Sequence, residues 1–249
     1  MKGSDNVGFA IMRIEKIKSV VAGNARLKHN RRETRCVTSN PGRKNISLIF
    51  SDQMRKDRNR TFREIFHDRT RGQKPRKNAV MALEVVLTFS PGAIPESQLK
   101  SWAMDNAVWL KKTFGNDNII DCQLHKDEKN FHIHSLLIPI DEKGRLNARA
   151  FVGGTRQRMS ELQTDYAKAM EKYGLERGIC RELTKARHES SLRWHERQAQ
   201  KETRLRAYEK VFGEEETWSF DDFLKFQKAQ NEIEKKEKAI FLTSPEKSK

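Results

Sequence analysis

Two apolar runs joined by a five-residue polar turn constrain this chain more than any other feature. Ile119–His125 and residues 131–140 flank Lys126-Asp127-Glu128-Lys129-Asn130. Runs of that length around such a turn predict a β-hairpin. Side chains alternate faces along a strand, so His132 and His134 point the same way, roughly 7 Å apart at the backbone. The turn brings His125 back beside them. Three neutral imidazoles can then converge on one divalent cation and leave positions open for water or substrate, which suits catalysis better than a closed structural site. Glu128, within the turn, is in reach as a fourth ligand, as a partner to a ligand, or as a base. Three of the seven histidines fall within these ten residues.

The remaining periodicities surround this hairpin with a mixed architecture. Residues 81–89 have the length and β-branched content of a buried strand, ended by Pro91 and Gly92. Glu84 interrupts that strand, either as a partner to a metal ligand or nucleophile, or as a carboxylate paired with an arginine. Pro95 suits a first helical turn. Leu99, Trp102, Ala103, Asn106, Leu110 and Phe114 then recur as one helical stripe, closed by Gly115. Residues 8–18 read as a first strand, and 19–45 as loop with at most a short helix. Residues 46–50 form a short apolar run, and 52–77 read as a short helix with a basic loop. After the hairpin, 146–152 reads as the next strand of an antiparallel meander. Met159, Leu162, Tyr166, Met170 and Tyr173 then mark a second helix, ended by Gly174. The expected fold is α+β: an antiparallel β-sheet with flanking helices over residues 1–184, the histidine triad central. Residues 185–249 are expected to be a helical C-terminal extension with a disordered end.

Charge narrows the partner. The formal net charge is +16, and residues 1–80 alone hold 21 Lys and Arg against 7 Asp and Glu, whereas the other 169 residues are nearly balanced. That is the footprint of a polyanion partner, nucleic acid ahead of an anionic membrane surface. No apolar run approaches the roughly 20 residues of a membrane span. The first residues lack the apolar segment of a secretory signal. Cys36, Cys122 and Cys180 are odd in number and far apart, which argues against a disulfide framework and fits a reducing cytoplasm. A histidine metal site in a basic chain suggests metal-assisted phosphodiester chemistry.

Three stretches make the chain resemble the MobV (Mob/Pre) relaxases, plasmid mobilisation and recombination proteins of the His-hydrophobic-His endonuclease superfamily. Lys28-His29-Asn30-Arg31-Arg32 is similar to that family's N-terminal motif. Asn40-Pro41-Gly42-Arg43-Lys44-Asn45 resembles its second motif. His125-Lys126-Asp127-Glu128, then His132-Ile133-His134, has the spacing of its metal motif. Gly174-Leu175-Glu176-Arg177-Gly178 resembles the segment after its last core helix. The likeness runs in order over roughly residues 8–180. Phe131 stands where the family commonly has proline. Leu48 and Phe114 stand where it often has tyrosine, so an apolar surface is kept and a hydroxyl is lost.

The resemblance implies a bacterial cytoplasmic relaxase that nicks one DNA strand at an origin of transfer and stays attached to the 5′ phosphate through a histidine. It implies His29 as nucleophile, Arg32 as the phosphate-orienting arginine, and Glu128 as a base or as the group that orients His29. His125, His132 and His134 would hold a divalent ion, Mn or Mg. Arg26, Lys28, Arg31, Arg43, Lys44, Leu48 and Phe114 are the candidate nucleic-acid contacts. Single-stranded or melted origin DNA is the implied partner, without stable membrane insertion. A second copy docked through the C-terminal helices and a conjugative coupling protein are further candidates. The basic neighbours of His29, Arg35 among them, favour its neutral imidazole. The only tyrosines are Tyr166, Tyr173 and Tyr208, which excludes an N-terminal catalytic tyrosine. Two alternatives stay open. One is a rolling-circle replication initiator using Tyr166 or Tyr173, although both lie on an apolar helical stripe. The other is a non-catalytic nucleic-acid-binding protein with a structural metal.

Overall fold

Strand β3 (Ala82–Phe89) is buried at six of its eight positions, because it pairs on both edges and its Leu83, Val85 and Leu87 face lies in the core, while Val86 and Thr88 stay half-buried. In the computed structural model, which describes residues 8–34, 36, 39–153, 156–178, 199, 200 and 203, it sits inside a six-stranded sheet of order β2-β4-β5-β3-β1-β6. The other strands are β1 (Gly8–Ile17), β2 (Ile46–Ser47), β4 (Ile119–His125), β5 (His132–Leu137) and β6 (Leu175–Arg177). The helices are α1 (Val20–Asn30), α2 (Asp52–Asp57), α3 (Phe62–Arg69), α4 (Leu99–Phe114), α5 (Ala148–Val152) and α6 (Arg156–Met170). The fold is α+β with an antiparallel sheet, as expected, plus one parallel addition. The three-residue β6 runs parallel to β1 at the edge, a pairing too short to leave a periodicity.

The strand alternation splits the core in two. Leu83, Val85 and Leu87 of β3, with Ile133 and Leu137 of β5, pack with Trp102, Leu110, Phe114 and Tyr166 from α4 and α6. Asn106 lies inside that stripe without penalty. It accepts a hydrogen bond from the Tyr166 hydroxyl at 2.9 Å and donates to the Trp102 carbonyl at 2.7 Å. On the opposite face Ile17, Ala82, Ile120 and Leu136 pack with Leu27 of α1 and Phe62, Ile65 and Phe66 of α3. Gly23 is what lets α1 approach α3, since a Cβ there would stand 2.4 Å from the Phe62 ring.

The structure departs from the sequence expectations in three segments. Residues 20–30 form an eleven-residue helix, longer than the short helix allowed for within the 19–45 loop. Its start is capped by Ser19, whose hydroxyl accepts from the Ala22 N–H at 3.1 Å. Its end carries no glycine signal, since Arg32 takes the left-handed position there. The stretch 52–77 holds two helices rather than one, the second opened by a Thr61/Glu64 capping box. Residues 146–152 do not extend the meander. Leu146 makes a single bridge to Ile140, and Asn147 then caps the short helix α5. The chain divides at residues 184/185 into two units. Tyr208 and almost all of the expected C-terminal extension lie outside the described residues. No helix among the described residues is long and apolar enough to cross a membrane.

Candidate metal and nucleic-acid site

The hairpin register places His125 directly opposite His132, and Gln123 opposite His134. The ring centroids are 5.1 Å apart for His125 and His132, 4.8 Å for His125 and His134, and 4.9 Å for His132 and His134. Sequence spacing anticipated this triangle. Tertiary structure adds His29, at the end of α1, with its ring 5.6 Å from that of His134 and 6.0 Å from that of His125. Donor atoms of His29, His125 and His134 lie within 4.8 Å of one another, as do those of His125, Glu128 and His132.

Each triad histidine has one ring nitrogen committed to an oxygen, which settles its tautomer. His125 Nε2 lies 2.8 Å from the Asn30 carbonyl. A carbonyl only accepts, so Nε2 carries the proton and Nδ1 the lone pair. That Nδ1 is buried and has no hydrogen-bond partner. By the same reasoning His132 Nδ1–H donates to the Asn130 carbonyl at 2.8 Å, and His134 Nδ1–H donates to Glu84 Oε1 at 2.9 Å. Both keep Nε2 as the basic nitrogen. Ligating histidines are ordinarily held this way, with an oxygen on the second ring nitrogen. An orphaned buried Nδ1 among two further lone pairs fits a divalent cation. Glu84 is paired with an arginine as well as with His134: it meets Arg26 Nε at 3.3 Å, and it is 2% exposed.

The loop after α1 is locked to the hairpin turn. The N–H of Arg32 donates to the His29 carbonyl and that of Glu33 to the Lys28 carbonyl, a Schellman ending that calls for a left-handed residue. Glycine usually fills that position. Here Arg32 does, with φ of 56°, a conformation that costs a non-glycine residue roughly 1–2 kcal/mol. The side chain supplies what holds it there. Arg32 forks onto both Asp127 oxygens at 2.9 Å and also donates to Glu128 Oε1. The second motif joins the same turn. Asn45 Oδ1 accepts from the N–H groups of Lys126 and Asp127, and the Asn40 N–H donates to the Asp127 carbonyl at 2.6 Å. Three stretches far apart in sequence therefore meet around one histidine cluster. Asn45 and Asp127 lay within the quoted motifs without an assigned role, and the Asn30 carbonyl carried no sequence signal, because each works through a backbone atom or a tertiary pairing.

Electrostatics around the cluster suit a cation. Glu84, Asp127 and Glu128 outnumber the two cations they contact, Arg26 and Arg32. Burial alone would raise Glu84 and Glu128. The His134 hydrogen bond to Glu84 and the Arg32 hydrogen bond to Glu128 outweigh it and hold both below the usual carboxylate range. Burial depresses His125 to about 3 and also lowers His132. His29 is lowered first by burial, then by His134 and Arg32. The depression expected for His29 is present, with burial as its main cause and Arg32 as the contributing arginine among the described residues.

Several expected DNA contacts face elsewhere. Arg31 points inward, onto Asp121 at 3.0 Å and the carbonyls of Arg60 and Asp57, with each of its three guanidinium nitrogens bonded there. Phe114 is 1% exposed and packs against Trp109 and Phe151. Its aromatic character was right for a core helix and gives no surface to DNA. Leu48 is half-buried against the core. Arg26 is spent on Glu15 and Glu84. Lys28, Arg43 and Lys44 are exposed, and the Arg43 guanidinium lies 5.6 Å from the Phe131 ring centroid. Arg35 lies outside the described residues. The tyrosine alternatives lose their chemistry. Tyr166 is fully buried and its hydroxyl is pushed far up by burial, and the Tyr173 hydroxyl is bound to Asp105.

With this geometry in view, comparison with known proteins is decisive about family. Residues 7–196 match the Mob_Pre model, described as plasmid recombination enzyme. The chain belongs to the Mob_Pre family. Among similar proteins, a "65 kDa protein" of Zymomonas mobilis subsp. mobilis is 33% identical over 233 residues, covering 89% of this chain and 39% of that protein. "Plasmid recombination enzyme type 3" of Staphylococcus aureus is 27% identical over 196 residues, 74% of this chain and 46% of that protein. The chain thus spans less than half the length of these curated relatives. Among solved structures, the Mn-bound MobM relaxase domain (MOBV; Mob_Pre) with plasmid pMV158 oriT DNA matches with a TM-score of 0.64 at 23% identity. The match covers 76% of this chain and 98% of that one.

Proposed function

We propose that this Mob_Pre chain nicks one strand of DNA at an origin of transfer by metal-assisted transesterification, with His29 as the nucleophile. The observation that carries this reading is the His29 ring, part-buried and depressed in pKa, 5.6 Å from the ring of His134. A neutral imidazole nitrogen of His29 attacks a backbone phosphorus. A P–N bond forms as the P–O3′ bond breaks; the remaining ring proton of His29 is released to solvent, and the 3′ oxygen takes one proton from solvent and leaves as a hydroxyl. The 5′ phosphate stays on His29, and the reverse reaction rejoins the strand. His125, His132 and His134, with Glu128 in reach, would hold a divalent cation. That cation supplies Lewis-acid polarisation of the phosphate and offsets developing charge. Mn is the candidate ion and origin DNA the candidate partner, since the similar MobM domain is described with both. Arg32 is assigned to holding the loop beside His29, with Asp127 and Glu128 as its anchors, and from there to orienting the phosphate. Lys28, Arg43 and Lys44 are the proposed backbone contacts. We assign the reaction to residues 1–184 and to the bacterial cytoplasm. Self-association and contact with a coupling protein are assigned to residues 185–249.

Mass spectrometry of the adduct formed with Mn²⁺ and a single-stranded origin oligonucleotide tests this. The linked residue is expected to be His29. His29→Ala should abolish the adduct while Mn²⁺ affinity, by calorimetry, stays within a few-fold. A retained adduct in that variant defeats the proposal. Lost Mn²⁺ binding would instead make His29 a ligand, a second reading favoured by its donor atom lying within 4.8 Å of those of His125 and His134.

A further inference from the structure

Three cross-strand rows traverse the histidine-bearing face of the sheet. Ile11, Thr88, His132 and His125 make one, and Arg13, Val86, His134 and Gln123 the next. Glu15, Glu84, Leu136 and Asp121 make the third, and α1 reaches over it through the Arg26 pairs to Glu15 and Glu84. The first two rows stay open at the β1 end. Ile11 is 39% exposed, Phe9 is 36% exposed and Arg13 is exposed, while Val86 and Thr88 are half-buried. Neighbouring strands are ~4.8 Å apart, so Ile11 and Arg13 lie about 10 Å from His132 and His134, with β3 between them. Arg26, Arg31 and Arg32 are each paired with carboxylates. No ion pair is formed by Arg13 among the described residues.

We infer that this strip of Phe9, Ile11, Arg13, Val86 and Thr88 is a docking platform for bases of the single strand leading to the histidine cluster. The inference rests on the reading of DNA as substrate. An aromatic ring and an aliphatic side chain on an open sheet accept base faces without regard to sequence, and a neighbouring arginine takes a phosphate or stacks on a base. A sheet presenting such side chains is a known solution for splayed single strands. The charge of Arg13, in no ion pair among the described residues, favours a polyanion over a second protein surface. Direct continuity of the rows with His132 and His134 delivers the strand to the candidate metal site. The strip thus acts on the strand that must be held while the phosphodiester is aligned, rather than on a remote patch.

The test uses the full chain and a fluorescein-labelled single-stranded oligonucleotide of mixed sequence. Anisotropy is read with EDTA present, so that no metal contributes. Arg13→Gln and Ile11→Glu should each weaken binding about fivefold or more. Val108→Glu, on the exposed side of α4, should leave it unchanged. Melting by circular dichroism confirms that the variants fold, and Arg13→Gln keeps the test informative if Ile11→Glu does not. Replacing thymine by 5-iodouracil in the same probe should crosslink a peptide containing Phe9. Unchanged affinity in both variants overturns the platform alone. A change in oligomeric state without a change in DNA affinity also overturns it, because the strip then belongs to a second copy. If the unaltered chain binds no single-stranded DNA, the proposed function falls with it.

Discussion

The carbonyl oxygen of Asn30 accepts the Nε2–H of His125 at 2.8 Å. Asn30 is the last residue of α1 and follows His29 directly, so the bond ties the helix end that carries the candidate nucleophile to a candidate metal ligand. It also directs the lone pair of His125 to Nδ1, which has no other partner. Tautomer and helix position are therefore set together, and a shift of α1 would disturb both His29 and the triad.

Glu84→Gln keeps the shape of the side chain and removes the charge that His134 Nδ1–H and Arg26 meet. Oxygen partners of ligating histidines are typically worth 10–100-fold in metal affinity. Calorimetry with Mn²⁺ is expected to show a loss of about that size, with the melting temperature little changed. Equal affinity in the two proteins would mean that Glu84 serves packing alone.

Arg31 and Phe114 should behave as structural residues. Arg31→Met strands Asp121, which is 5% exposed and already pushed up by burial despite the pairing. Removing one partner of a buried pair costs about 3–5 kcal/mol. Phe114→Ala opens a cavity in the α4 core at a cost of about 3–5 kcal/mol. Urea unfolding measures both. Lys28→Met, at an exposed position, should stay within about 0.5 kcal/mol. A stable Arg31→Met protein with selectively impaired DNA binding would contradict the inward role of this arginine.

Lys28, Arg43 and Lys44 should act through phosphates. Each phosphate contact contributes about 0.7 to the slope of log affinity against log salt for single strands. The triple alanine variant should therefore lower that slope by about 2 and weaken all sequences alike, as read by anisotropy across a salt series. A slope equal to that of the unaltered chain would remove these residues from the DNA contacts.

Much of the site could be read before folding because it depends on local period. His132 and His134 share a face through strand alternation, and the five-residue turn returns His125 to them. The α4 stripe and its Gly115 ending are of the same kind. The extent of helix α1 was not legible because its ending uses Arg32 in a left-handed conformation where glycine is the usual marker. Asp127 and Glu128, some 95 positions away, supply the pairing that holds it. The 146–152 segment has strand-like residues, but Asn147 caps a helix there once Leu146 has made its one bridge.

Charge shows the same division. The sequence by itself determined that the first 80 residues carry the excess of basic residues, that three histidines share one hairpin, and that an apolar strand holds one carboxylate. Only the tertiary structure decided which of those arginines face a partner. Arg26, Arg31, Arg32 and Arg69 all turn to carboxylates brought near by folding, while Lys28, Arg43 and Lys44 stay exposed. The physical reason is that charge is counted along the chain, whereas pairing depends on distance in space. A buried Asp57, Asp121 or Glu84 requires a cation beside it, and the nearest arginines supply one at the expense of the surface.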